Sequence, residues 1–426
     1  MSTDAAPPRG GAPHLTGGRP AGAAGAPVSQ AEAAARELPA ARFGESREGG
    51  AVGRPAKLWL PRRVLVTRAA AAEPHGQRML ARLESLGLRP ELLTSDRLPP
   101  LTRGLSTREA YRAAKDTLAL VNAPPSQLRS LQPIPPSADY QFHLAKGCPA
   151  HCQYCYLAGS LPGAPVTRVY ANLDAILASV REHALRGVEA GRRRPADPRA
   201  HPGDLTFEAS CYTDPLGIEH LTGSLSATVE AFAKTPGARL RWVTKYDAVD
   251  PLIALAHGGR TRCRVSLNPL PVTRRLEGGT ADLTARLHAM RRLAIPRAEG
   301  GGGYPVGAVI APIVRLPDWR AAYAELLDAL AAALEFGPGG SGGIGGAREL
   351  TFELITHRFT PGSKAVLLDW YPATRLDLDE ASREVKRNRF GSEKYVFPRT
   401  EMRELRDWFE REIAARFGEG RVLYFT

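Results

Sequence analysis

The sequence predicts an α/β fold: a partial (β/α)6 barrel of the TIM type, preceded by a small N-terminal α/β unit and followed by a C-terminal hairpin-and-helix extension. Three observations predict it. From residue 139 onward, short apolar runs alternate with helical periodicity six times. A shorter alternation of the same kind occupies 57–135. After the sixth run the pattern changes to a hairpin-like segment and one long amphipathic stretch.

Taken in chain order, residues 1–56 are dominated by Ala, Gly and Pro, with few aromatics. Such a segment buries too little apolar surface to offset its ordering entropy, and is expected to remain a disordered tail. At most 31–43 forms a transient helix. In the N-terminal unit (57–135), strands are expected at 63–67 and 89–93, helices at 73–86 and 108–115, and extended chain at 118–121. The barrel is expected over 136–360. Its strands are 140–145, 204–209, 239–244, 262–267, 304–311 and 349–355, and its helices 173–188, 219–234, 248–256, 279–294 and 317–335. Right-handed crossovers then make the sheet parallel, with a site at the C-terminal strand ends. The extension (361–426) is expected to hold a helix near 377–387, a hairpin over 389–397 turning at Gly391, a helix at 400–416 and a terminal strand. The Gly-rich stretches 300–303 and 337–346 lack the spacing of phosphate-binding loops and are expected to be insertions, like 191–203.

Composition narrows the class of function. The 426 residues carry 57 Lys and Arg against 44 Asp and Glu, a net charge of +13. Six basic and five acidic residues fall within 1–56, so +12 sits on the remainder, as suits a polyanionic partner. Five cysteines in this length do not make a disulfide scaffold. No apolar run is long enough to cross a bilayer, and the N-terminus lacks the apolar segment of a secretory signal. A collagen, a membrane channel and a small secreted domain are excluded, and a reducing, cytoplasmic location is expected.

Three of the cysteines, Cys148, Cys152 and Cys155, fall within eight residues as C-x3-C-x2-C, directly after the first barrel strand. Thiolates this close converge on one metal centre. Zinc would want a fourth ligand, for which His151 is awkwardly placed inside the first gap. A redox pair needs only two cysteines. Three thiolates on a four-iron cluster leave one iron open to bind a ligand.

With the aromatic Tyr154 before the last cysteine, the loop resembles the CxxxCxΦC motif of radical S-adenosylmethionine enzymes. Beyond the loop, the chain resembles the spore photoproduct lyase family of those enzymes over about 57–426. The matching blocks include GCPAHCQYCYL (147–157), RVYANLDAIL (168–177), FEASCYTDPLGIEHLTGSL (207–225), RLRWVTKYDAVDPLI (239–253), TRCRVSLNP (261–269), VIAPI (309–313), LTFELITHRFT (350–360) and KYVF (394–397).

The resemblance implies a DNA repair lyase that returns the thymine dimer 5-thyminyl-5,6-dihydrothymine to two thymines by a 5′-deoxyadenosyl radical route. It implies a [4Fe-4S] cluster on Cys148, Cys152 and Cys155, with S-adenosylmethionine bound beside it. Cys211 matches the family's hydrogen-donor cysteine, and Tyr154 its radical relay. Tyr156, Thr213, Lys245, Ser266 and Ala311 match its S-adenosylmethionine pocket. Arg389 and Phe390 match a hairpin Arg–Tyr pair that approaches the lesion. Arg358, Lys386, Arg387 and Lys394 would add phosphate contacts, and the lesion would flip out of the stack. A reductant such as flavodoxin or ferredoxin is implied as a second partner.

Four positions depart from the family pattern. Thr213 stands for Ser, Phe390 for Tyr, Cys263 for an aromatic residue, and Tyr212 for a small polar residue directly after the donor cysteine. The alternatives are a related enzyme acting on another lesion or substrate, and a non-catalytic metal-containing DNA-binding protein.

Overall fold

The computed structural model describes residues 53–161, 163–189, 203–387 and 391–426. The expected tail, its transient helix, most of the 191–203 insertion, and Arg389 and Phe390 lie outside the described residues. None of the described helices is long and apolar enough to cross a membrane.

The six expected strands form one parallel sheet: Ala138–Phe142, Leu205–Ala209, Ala238–Thr244, Thr261–Leu267, Val306–Ile313 and Thr351–Thr356. Two strands extend it. The terminal Val422–Phe425 joins in parallel beside Thr351–Thr356, and Gln132–Ile134 runs antiparallel along the opposite edge. Every residue of Leu205–Ala209 and of Thr261–Leu267 is buried, as strands covered on both faces must be. The curled sheet is the partial TIM-type barrel that the alternation predicts.

A charged layer crosses its interior. Strand alternation turns Glu208, Arg241, Arg264 and Glu353 inward from four different strands. Arg264 Nη1 stands 2.7 Å from Glu353 Oε2, while Arg241 pairs with Glu353 and Arg264 with Glu208. Tyr424, from the terminal strand, donates to Glu353 Oε2 at 2.6 Å, and Ser137 Oγ donates to Glu208 Oε2 at 2.9 Å. None of the four charged side chains is more than 4% exposed. Gly307 makes room for this layer, since a Cβ there would meet Arg264 Cγ at 3.1 Å.

A second sheet, in the order Glu91–Leu92, Arg63–Val66, Thr117–Val121, Thr167–Tyr170 and Ala145–Lys146, carries the N-terminal strands. Its last two members come from segments that flank the cysteine loop. The chain therefore leaves the first barrel strand, crosses to the smaller sheet, and only then makes that loop.

Several helices differ from expectation. The 219–234 helix breaks into Glu219–Thr222 and Ser224–Ala233 at Gly223, which adopts φ +62°. The 279–294 helix begins at Leu283, because Asp282 caps it by accepting from Ala285 N at 2.9 Å. The 248–256 helix is only Asp250–Ile253, and the chain turns through left-handed Gly258 and Gly259 soon after. No helix forms at 377–387. Asp377 Oδ1 accepts from Asp379 N and Asp379 Oδ1 from Ala381 N, so side chains take the amides that a helix would use. The chain continues as Glu384–Arg387, antiparallel to Glu393–Val396, so the hairpin begins earlier than its expected 389. Among the described helices of seven or more residues, two went unforeseen, Leu270–Leu276 and Pro361–Trp370. The second has a readable start: Thr360 caps it reciprocally with Ser363, and Pro361 takes its first position.

Candidate active site

The cysteine loop is pinned from three sides. Gly147 opens it at φ +88°, where a Cβ would meet the Val166 carbonyl oxygen at 2.3 Å. His151–Cys152 pairs antiparallel with Glu277–Gly278. From the N-terminal unit, Lys115 Nζ donates to the Cys148 carbonyl at 2.7 Å and also to that of Ala150. Tyr111, on the same helix, hydrogen-bonds His151 Nδ1 at 2.9 Å and the Tyr371 hydroxyl, with its ring stacked on Trp370. Replacing Lys115 with Met is expected to leave those two carbonyls unpaired at a cost of about 1–3 kcal/mol. Iron retained per chain after anaerobic reconstitution and gel filtration should fall, and retention equal to wild type would contradict this bracing role.

Cys148 and Cys155 are partly exposed, and Cys152 is buried. Burial pushes the Cys148 thiol up to about 11, with Lys115 pulling against it; Cys155 is raised by burial and opposed by the same lysine. Charge on Cys155 raises Cys148, and charge on either raises Cys152, so the three share one electrostatic neighbourhood. Among the described residues, no set of three His, Cys, Asp or Glu side chains converges on a single metal ion. A polynuclear cluster spreads its thiolate ligands over several metal atoms, and three thiols sharing one neighbourhood fit such a group.

A polar pocket lies next to the loop at the strand ends. Lys245 Nζ donates to Ser266 Oγ at 2.5 Å and lies 3.4 Å from the Ala311 carbonyl oxygen. Asn268 Nδ2 bridges that carbonyl and Glu277 Oε1, at 3.3 and 3.0 Å. The Lys245 ammonium sits 5.6 Å from the centre of the Tyr154 ring, whose hydroxyl donates to Glu277. Glu277 in turn pairs with Arg286 at 2.5 Å. Asp214 ties the pocket to the next turn, accepting from Thr244 Oγ1 at 2.8 Å and from Lys245 N at 2.7 Å. Thr213 Oγ1 and Asn268 Oδ1 are buried without a partner, and unmet polar atoms of this kind fit a polar ligand.

Cys211 follows the second barrel strand on a strained turn. Ser210 adopts φ +60°, held by Ser210 N donating to the Phe142 carbonyl at 2.7 Å and by Leu144 N donating to Ser210 Oγ at 3.0 Å. Burial raises the Cys211 thiol, Glu208 adds to the rise, and Arg264 opposes it, so the sulfur keeps its proton. Tyr156 is exposed, with its ring 6.0 Å from that of Tyr212. Cys263 is fully buried within the fourth strand, away from the loop.

Thus Lys245, Ser266, Ala311 and Tyr154 meet in one pocket, with Thr213 beside Asp214 at its edge. Cys211 and Tyr156 lie toward Tyr212. The strands flanking Arg389 and Phe390 are described, and they bring Lys386 opposite Lys394, with Arg358 close enough to depress the Lys394 ammonium after burial. Arg387 is paired with Glu393 at 2.7 Å. Lys115, Asp214, Asn268, Glu277 and Arg286 were not foreseen. Asp214 and Asn268 adjoin site positions in the sequence and could have been flagged, whereas Lys115, Glu277 and Arg286 carry no local signal.

A sequence model described as spore photoproduct lyase matches residues 59–426. The chain is 39% identical over 370 residues to spore photoproduct lyase of Geobacillus sp. (strain Y412MC61), covering 87% of this chain and all of that protein. It is 34% identical over 368 residues to that of Bacillus subtilis (strain 168), covering 86% of this chain and 99% of the relative. A solved variant of spore photoproduct lyase with AdoMet and dinucleoside spore photoproduct bound superposes with a TM-score of 0.76 at 37% identity, over 87% of this chain and all of that one.

Proposed function

Because the chain belongs to the spore photoproduct lyase family, we propose that it repairs the spore photoproduct in DNA, splitting 5-thyminyl-5,6-dihydrothymine into two thymines by radical chemistry. The observation that carries this reading is the convergence at the strand ends of a three-cysteine loop, the Lys245–Ser266–Ala311 pocket and a protonated Cys211 thiol.

Cys148, Cys152 and Cys155 would hold a [4Fe-4S] cluster, with S-adenosylmethionine in the adjoining pocket. Together, when bound, these groups would supply the one-electron, hydrogen-abstracting chemistry of a 5′-deoxyadenosyl radical. The remaining work falls to the chain. Lys245 offers an ammonium for a carboxylate or ribose oxygen, in a pocket where Ser266 and the Ala311 carbonyl fix its direction. Thr213 supplies a free hydroxyl in place of the family's serine. Once the bridging carbon–carbon bond has broken, Cys211 gives its sulfur-bound hydrogen atom to the thymine radical. Tyr154, anchored by Glu277, is the relay candidate that returns the hydrogen equivalent, and Tyr156 would line the S-adenosylmethionine side. Lys386, Lys394 and Arg358 form the described part of a phosphate-facing surface, to which Arg389 and Phe390 would add. A flavodoxin or ferredoxin would supply the electron, in the reducing cytoplasm that five free cysteines suit.

Anaerobic reconstitution followed by dithionite, S-adenosylmethionine and spore photoproduct dinucleotide should yield the repaired thymine dinucleotide by liquid chromatography and mass spectrometry. Deoxyadenosine without repair would favour a related enzyme of different lesion choice, for which the Tyr212 ring beside Cys211 gives a physical reason. An intact cluster with neither product would point to a binding protein. Lys245→Ala should raise the KM for S-adenosylmethionine on the order of tenfold or more, as loss of a charge-assisted hydrogen bond worth about 1.5–3 kcal/mol requires. The cluster's absorbance should not change, and an unaltered KM would remove Lys245 from the pocket.

A further inference from the structure

Beside Cys211 stands a group of side chains that the chemistry above leaves unused. Ala145–Lys146 runs antiparallel to Thr167–Tyr170, with Ala145 opposite Val169 and Lys146 opposite Arg168. Alternation along a strand sends each pair to its own face. Ala145 and Val169 are fully buried in the core that packs against the smaller sheet. Lys146 and Arg168 therefore occupy the other face, where Lys146 Nζ lies 5.4 Å from the centre of the Tyr212 ring.

Like charges directly opposite on paired strands repel. Burial depresses the Lys146 ammonium, and Arg168 depresses it further; no carboxylate counters either effect. Among the described residues, no acidic side chain forms an ion pair with Lys146 or Arg168. Tyr212 completes the wall: its carbonyl accepts from Gly147 N at 2.9 Å, and its ring packs edge-on against His143 at 5.1 Å. His143 Nδ1 is buried without a hydrogen-bond partner. Burial holds that imidazole neutral, with its pKa pushed down to about 4. Two cations sharing one face, a flat ring and an unmet ring nitrogen thus border the turn that carries Cys211.

We propose that Lys146 and Arg168 clamp the phosphodiester linking the two thymidines of the lesion, with Tyr212 as the wall that holds the flipped dinucleotide against Cys211. This rests on the repair reading and names the part of the substrate that these residues bind. One phosphodiester carries one negative charge and two free oxygens, enough to engage an ammonium and a guanidinium together. The enzyme then recognises adjacent thymidines through their shared linkage, and a lesion without that phosphate binds less tightly.

The test compares two ligands by calorimetry on the reconstituted enzyme: phosphate-bridged spore photoproduct dinucleotide, and the dinucleoside that lacks the phosphate. Wild type should favour the bridged ligand at least tenfold, with the preference falling as salt rises. Lys146→Gln and Arg168→Gln should each erase most of that preference while leaving the dinucleoside Kd unchanged, and Lys146→Arg should retain it. Arg168 is exposed, so its substitution does not act through folding. Equal affinity of wild type for the two ligands, or equal weakening of both in Arg168→Gln, would overturn the clamp. Tight, phosphate-dependent binding without repair would overturn the lyase reading and leave the clamp standing; repair without phosphate preference would do the reverse.

Discussion

Replacing Cys211 with alanine is expected to uncouple radical initiation from repair. The three loop cysteines and the Lys245–Ser266–Ala311 pocket are untouched by the change, so S-adenosylmethionine should still be consumed. The thymine radical left after bond cleavage would lack a hydrogen donor, and clean thymine should fall on the order of 10²-fold, or about 2.7 kcal/mol. By-products that quench the radical in other ways should take its place. Cys211→Ser should behave like the alanine variant, because an O–H bond is too strong to surrender its hydrogen atom to a carbon radical. Burial and Glu208 keep the thiol protonated, so the wild-type yield should not vary with pH across the neutral range. The measurement is repaired thymine per S-adenosylmethionine consumed; a ratio unchanged in Cys211→Ala would remove this residue from the chemistry.

Removing Glu353 is expected to have the largest effect on stability. Its carboxylate joins Arg241, Arg264 and Tyr424 within the barrel. Glu353→Leu would leave two guanidiniums with Glu208 alone and a buried tyrosine hydroxyl without its acceptor. Breaking a buried ion pair from one side costs about 3–5 kcal/mol, a fall in Tm on the order of 10 °C for a domain of this size. Adding Arg264→Met should restore part of the loss, because the cost lies in the uncompensated charge. Calorimetric unfolding of the single and double variants checks both statements; a single variant as stable as wild type would mean that the layer is neutral in energy.

The same network sets an acid limit. Burial opposes ionisation of Glu353, but Arg241 and Arg264 outweigh it and hold the carboxyl below its usual range. Glu277, buried beside Arg286, is likewise held down, to about 2. A carboxyl whose pKa is lower in the folded than in the unfolded chain contributes fully above its unfolded value. That contribution is lost as the pH falls through the folded value. Stability should therefore hold at neutral pH and decline below the ordinary glutamate range, and the Glu353→Leu variant should show a shallower decline.

Much of this molecule is legible in its sequence because the relevant signals are local. Six barrel strands are apolar runs that need no partner to be recognised, and three thiols within eight residues declare a shared centre. Errors arose where side chains compete with the backbone or where a segment has two possible neighbours. Asp377 and Asp379 divert the amides of a stretch with helical composition. Thr167–Tyr170, to which the sequence reading assigns no strand, pairs with Thr117–Val121 in the smaller sheet.

The sequence by itself determined the fold class, the cysteine loop and the family resemblance, since each depends on residues close together or on their order along the chain. Only the tertiary structure decided how the charges are used. It set Lys115 against the backbone of the cysteine loop, buried Glu277 with Arg286, linked Glu208, Arg241, Arg264 and Glu353 across the barrel, and left Lys146 opposite Arg168 with no acidic partner among the described residues. Whether a charge is neutralised, braced or left to meet a ligand depends on strand register between residues far apart in sequence, and no local pattern encodes that register.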